Sequence, residues 1–321
     1  MDRREFLGVA ASGVAVSALG RCAFPAGFQR AEPLSAASFH ASLRFVETRF
    51  GRIAYLERGR GEAALFLHGF PLNAFQWRGA IDRLSAHRRC IAPDFLGLGS
   101  TEVAEGQSVA PDAQVAMLIE LMDKLSVART DVIANDSGGA VAQLLSVRHP
   151  ERVRTLLLTN CDTEPDSPPP ALAPVIELSR KGRFVDEWLT PWLADKQLAR
   201  SAQGIGGLCY VDPGQPTDEA IDTYLAPLVR SSRQKALVHA YVLALEINPL
   251  EGISSALARS TVPTRVVWGM ADDIFSAASP DYFERTLGNS RGVRRLKGRK
   301  LFWPEECPDT VAEEAKRLWN G

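Results

Sequence analysis

The chain has 321 residues, 45% hydrophobic and 23% charged, enough for one large domain or a core carrying an insertion. Its 37 Lys and Arg nearly cancel its 38 Asp and Glu, leaving a formal net charge of −1. Bulk electrostatics therefore give no case for a nucleic acid or an anionic membrane surface as partner.

The N-terminus reads MDRREFLGVAASGVAVSALGRCAF. Arg3-Arg4, then Phe6-Leu7, then an apolar run over residues 8–19 has the layout of a twin-arginine export signal. Residues 1–27 are thus expected to be a targeting segment that sends the folded protein to a bacterial periplasm. The apolar run is too short to span a bilayer, and no later segment is a candidate span. Arg21 precedes Cys22 where a lipid-attachment site needs a small residue. The other cysteines, Cys90, Cys161, Cys209 and Cys307, show no C-x-x-C or metal-ligand spacing, so buried thiols are expected and no metal is implied.

Residues 44–48 and 52–57 read as a hairpin around Phe50-Gly51. A short apolar strand at 64–67 ends in HGFP. A helix at 80–86 and a strand at 90–92 follow, the strand running into PDFLGLGST. Val115, Leu118, Ile119, Met122 and Leu125 recur at helical spacing, giving residues 113–125 one buried face. A strand at 131–134, a helix at 139–148 and a strand at 153–159 complete the run. Short apolar strands alternating with amphipathic helices predict an α/β fold with a mostly parallel sheet covered on both faces.

At EPDSPPPALAP (164–174) the alternation stops, because this stretch continues neither a helix nor a central strand. The pattern to about residue 260 is helical, with breaks expected at 204–207 and 212–216. Strand signal returns at 265–268, followed by a helix at 280–287, a strand at 293–296 and a helix at 310–319. The expected organisation is a core over 40–162, a helical cap over 163–260 and a second core segment over 261–321. Arg291, Arg294, Arg295, Lys297, Arg299 and Lys300 form the one local basic excess, expected as a solvated edge strand and turn.

The order FLHGFP, PDFLGLGST, IANDSGGAVAQ, HPERVRTLLLTN, VVWGMADDIF resembles the α/β-hydrolase superfamily from about residue 43 to the end. HGFP together with an Asp in the elbow IANDSGGAVAQ looks like its epoxide hydrolase and haloalkane dehalogenase branch. A nucleophile elbow needs small residues two before and two after its tip. Asp136 has Ala134 and Gly138 there, whereas Ser137 would have Asn135, which crowds the turn; the frame favours Asp136. The resemblance implies that Asp136 attacks a saturated carbon of an epoxide or alkyl halide and forms an ester. It also implies backbone N–H donors from Phe70 and Ser137, and Asp272, or its neighbour Asp273, as the acid that orients an imidazole.

The sequence departs from this pattern where the family carries its catalytic His. The region reads KGRKLFWPEE, which puts Leu301 at that position, and no His follows His239. An ester on Asp136 would then lack its usual base for clearance. Trp77, Asn135, Tyr224, Tyr241 and His239 are candidates for the substrate pocket, with core packing the alternative for Trp77, Tyr224 and Tyr241. The resulting expectation is an enzyme, without metal or organic cofactor, acting through Asp136 on a small, mostly apolar molecule under a helical cap. The alternatives are a non-hydrolytic isomerase, lyase or cyclase, or a catalytically inactive binding protein on the same scaffold.

Overall fold

The computed structural model describes residues 34–212 and 214–320. The expected export signal lies outside the described residues. Helix α1 (Ala36–Ser42), capped by the Ser35 side chain, leads into the expected hairpin of β1 (Leu43–Thr48) and β2 (Gly51–Arg58). There follow β3 (Ala63–Leu67), α2 (Arg78–Leu84), β4 (Arg89–Pro93), the short β5 (Glu102–Val103) and α3 (Pro111–Lys124). Next come β6 (Thr130–Asp136), α4 (Ser137–Arg148) and β7 (Val153–Cys161), and, after a long insertion, β8 (Thr264–Gly269) and β9 (Ser290–Leu296).

These strands form one nine-stranded sheet in the order β1-β2-β4-β3-β6-β7-β8-β9, with β5 on β2. Every pair from β4 across to β9 is parallel, and the pairs made by β2 are antiparallel. All residues of β3 and β6 are buried, as expected of central parallel strands covered on both faces. The chain runs from β3 to β4 on one side of β3 and later extends on its other side. This reversal opens a crevice at the C-terminal ends of β3 and β6, where open α/β sheets bind ligands.

Between β7 and β8 the insertion is helical. It holds α5 (Ala173–Arg180), a wide turn at Val185–Leu189, α6 (Thr190–Ala194), α7 (Lys196–Arg200), α8 (Ile205–Cys209), α9 (Asp218–Val229), α10 (Ser232–Ala244) and α11 (Ser254–Arg259). Thr217 and Ser231 cap α9 and α10 through their hydroxyls. The break expected at 204–207 is instead mostly α8. Gly207 is there because the chain passes close by: a Cβ would lie 2.4 Å from the Ser201 carbonyl oxygen.

The chain closes with α12 (Ser279–Thr286), α13 (Trp303–Glu306) and α14 (Pro308–Asn320). The basic excess lies on and beyond β9, at the sheet edge. Arg294 pairs with Glu314 at 2.5 Å and Arg295 with Glu284 at 2.7 Å, so these two charges are locally neutralised.

A buried polar cluster joins cap to core. Arg78 pairs with Glu305 at 2.7 Å, both largely buried. Tyr210 Oη donates to Glu305 Oε2 at 2.6 Å, and Arg78 Nη1 donates to Tyr224 Oη at 3.1 Å. Removing one partner of such a pair leaves the other charge stranded. Arg78→Met is therefore expected to lower the unfolding free energy by about 3–5 kcal/mol, read by urea denaturation.

Candidate active site

The register Leu67↔Ala134 brings the loop after β3 against the turn after β6. Asp136 stands at the tip of that turn with φ 55° and ψ −135°, a left-handed conformation that a non-glycine residue adopts only under constraint. Ser137 is already the first residue of α4. Gly138 allows the close approach: a Cβ there would lie 2.5 Å from the His68 carbonyl oxygen and 2.7 Å from that of Leu67. Both obstacles are backbone, so Gly138→Ala is expected to destabilise the fold by about 1–3 kcal/mol in thermal unfolding.

The Phe70 N–H donates to Asp136 Oδ2 at 2.6 Å. Burial pushes the Asp136 carboxyl up to about 6, partly offset by the Ser137 and Phe70 N–H groups. His68 holds this loop in place. Its Nδ1–H donates to the Gly69 carbonyl at 2.9 Å, and Nε2 accepts from the Phe95 N–H at 3.1 Å. Burial lowers its pKa to about 4, so it is neutral and fully engaged.

Beneath the elbow runs a chain of amides. Gln76 accepts from the Gly69 N–H and donates to Asn135 Oδ1; Asn135 Nδ2 donates to the carbonyls of Asn160 and Leu301. Asn160 accepts from the Gly269 N–H and from Trp303 Nε1, and donates to Asp272 Oδ2 at 2.8 Å. One network thus ties together the ends of β3, β6, β7 and β8 and the last loop. Asp272 also accepts from the Ile274 N–H at 2.9 Å, and burial pushes it up to about 7. Its carboxyl meets an asparagine rather than an imidazole.

Over the crevice lies a cavity of about 300 Å³, at the small end for organic ligands. Asp136, Ser137, Phe70 and Leu301 form part of its wall, and the aromatic rings of Phe184, Trp188 and Trp192 form another part. These rings continue a row that starts with Tyr241, stacked on Phe70 at 5.6 Å between centroids. Asp162, directly after β7, is a second buried carboxyl in the wall. Burial, reinforced by the nearby Asp136, pushes it up to about 8. A wider depression of about 550 Å³ shares Ala171, Asp273, Ile274 and Phe275 with the cavity.

The sequence candidates for the pocket separate here. Trp77 is fully buried beside Phe66, in the core. Asn135 lies below the elbow in the amide network, and Tyr224 belongs to the Arg78 cluster. His239, half-buried on the cap, accepts from the Val185 N–H at 3.3 Å and is not in the cavity wall. Tyr241 reaches the elbow from α10, its hydroxyl 3.0 Å from Ser137 Oγ, without forming part of that wall. Among the described residues, none lining the cavity is a histidine. Sequence reasoning passed over Asp162 and Asn160. Both stand at the C-terminal end of a parallel strand, the same position that singled out Asp136 and Asp272.

A parallel sheet with a strained Asp elbow, a backbone donor from the loop after an early strand and an inserted helical roof defines a hydrolase-type scaffold. The chain belongs to the alpha/beta hydrolase fold family, whose sequence model matches residues 64–302. Haloalkane dehalogenase 2 of Mycobacterium tuberculosis is 26% identical over 297 residues, covering 84% of this chain and 92% of that protein. The cis-3-alkyl-4-alkyloxetan-2-one decarboxylase of Shewanella oneidensis is 25% identical over 245 residues, 72% of this chain and 74% of that one. Among solved structures, the epoxide hydrolase CorEH superposes with a TM-score of 0.70 at 20% identity, over 87% of this chain and 99% of its own.

Proposed function

We propose that this protein is an enzyme in which Asp136 attacks a saturated carbon of a small, mostly apolar substrate. Epoxides, alkyl halides and strained cyclic esters are the substrate types, in keeping with the names of its relatives. The observation that carries this reading is the placement of Asp136. Its carboxyl sits at a strained helix N-terminus, takes the Phe70 N–H on Oδ2 and lines an apolar cavity. The helix end and the N–H donors favour the ionised, attacking form. The same donors would stabilise the oxyanion when water later attacks the ester carbon. The aromatic wall accounts for an apolar substrate, and the depression beyond Phe275 for its entry.

Leu301, buried in the cavity wall, favours a second reading. With no imidazole beside the ester, a lyase or isomerase route that never forms one needs no base to clear it. In that case Asp136 would act only in proton transfer. The two readings separate by intact-protein mass after incubation with a panel of epoxides, alkyl bromides and activated esters. An adduct on Asp136, transient or stable, supports the first. Chemical conversion without any adduct under rapid quench supports the second. We further propose, from the Arg3-Arg4 motif alone, that the protein works in the periplasm; mass analysis of exported protein tests this.

A further inference from the structure

The sheet register pairs Asp136 with Cys161, so Asp162 is one residue beyond the strand partner of the elbow tip. Neighbouring strands lie about 4.8 Å apart, which sets the scale of the separation between the two residues. Cys161 turns toward α4, where a Cβ on Gly139 would lie 2.2 Å from its own Cβ. Asp162 is in the cavity wall with Asp136. Ser167 Oγ donates to Asp162 Oδ1 at 2.8 Å and fixes its rotamer. Among the described residues no tyrosine lines this cavity: Tyr241 faces Ser137 Oγ, and Tyr210 and Tyr224 face Glu305 and Arg78.

We propose that Asp162 is the proton-transfer residue of this site, acting first as acid and then as base on a substrate whose leaving atom is oxygen, an epoxide or another strained cyclic ether. The proposal rests on the Asp136 reading above. In the first step an Asp136 oxygen bonds to the ring carbon, the ring C–O bond breaks, and its electron pair takes the proton of the Asp162 carboxyl. Asp162 is then a carboxylate beside the ester. In the second step it accepts a proton from water as the hydroxide adds to the Asp136 carboxyl carbon. The tetrahedral centre expels the substrate alkoxide, which takes the proton of the regenerated Asp136 carboxyl. Epoxide and water become a diol, and both carboxyls return to their starting states. One carboxyl serving in turn as acid and base is established chemistry for glycosidase pairs. It also supplies the base that Leu301 does not.

The groups facing Asp162 are Asp136 from the elbow, Asp166 and Cys161 from its own segment, and Tyr241 from α10. Burial and the Asp136 charge keep it protonated up to about pH 8, which suits an acid at neutral pH.

The test compares a terminal epoxide with the matching alkyl bromide, whose leaving group needs no proton, by rapid-quench mass of the Asp136 adduct. In Asp162→Asn, alkylation by the epoxide is expected to fall at least about 100-fold. Alkylation by the bromide should hold within about threefold; at about pH 9, where Asp162 of the unsubstituted protein is a carboxylate, the ester left by the bromide should clear in that protein and persist in the variant. In the unsubstituted protein, epoxide opening should fall above about pH 8 while bromide alkylation does not. Asp162→Asn opening the epoxide at the unsubstituted rate, and at about pH 9 clearing the bromide-derived ester at the unsubstituted rate, would overturn the proposal and leave the Asp136 reading intact. If Asp162→Asn is inactive with both reagents, the pH profiles decide: a fall confined to the epoxide supports the proposal, and a shared profile overturns it. No adduct and no conversion with either reagent in the unsubstituted protein would sink the Asp136 reading and this one with it.

Discussion

Asp136→Asn is expected to abolish both the covalent adduct and turnover, with kcat/KM lower by roughly four orders of magnitude or more. The size follows from the role. An amide oxygen is a poor nucleophile toward saturated carbon, and no other group in the cavity wall has the same placement. Ser137, the neighbouring hydroxyl, is bonded to Tyr241 Oη and lies in α4 rather than at the tip of the turn. Asparagine is nearly isosteric and can still accept from the Phe70 N–H, so the fold is expected to survive. Steady-state kinetics on the best substrate of the panel, with intact mass on the same sample, checks both halves of the expectation.

The second large effect is on stability and has the opposite sign from an ordinary core polar substitution. Asp162 is buried, and its carboxyl is raised to about 8 from an ordinary value near 3.8. Below about pH 3.8 both folded and unfolded chains carry the proton, and nothing is lost. Between there and pH 8 the unfolded chain releases the proton while the native one keeps it, so stability falls as pH rises. Above pH 8 the penalty is complete. Each unit of difference is worth about 1.4 kcal/mol, so the full effect is on the order of a few kcal/mol. Asp162→Asn removes the titration and keeps an acceptor for Ser167 Oγ. The variant is expected to unfold at higher temperature than the unsubstituted protein at pH 8, with the gain gone at pH 3.5. Scanning calorimetry at the two pH values measures this. Gaining stability while losing epoxide chemistry is the mark of a group held for function.

Much of this architecture was legible in the chain. The elbow could be read because its constraint is local: the tip needs small residues two away, and Gly138 proves to face the backbone of the preceding strand end. Strands such as β3 and β6 could be read because burial on both faces demands continuous apolar runs. The hairpin, the core helices and the helical insertion followed from period and turn chemistry. What escaped has long-range causes. Short β5 and α1 carry too few residues for a period. Gly207 read as a break because nothing local reveals Ser201 behind it. Asp162 and Asn160 carried no signal in the sequence, since their meaning depends on Asp136, Asp272 and Trp303. Sequence alone could not separate pocket from core for Tyr224 and Trp77; an arginine and a core phenylalanine hold them.

In the proposed route an Asp136 oxygen becomes bonded to substrate carbon. A single turnover in ¹⁸O-labelled water, with enzyme in excess over the best epoxide, locates that oxygen. The ester route delivers an unlabelled oxygen to the product and leaves the label in the Asp136 peptide. Labelled product with an unlabelled Asp136 peptide would contradict it, because water would then have attacked the substrate directly.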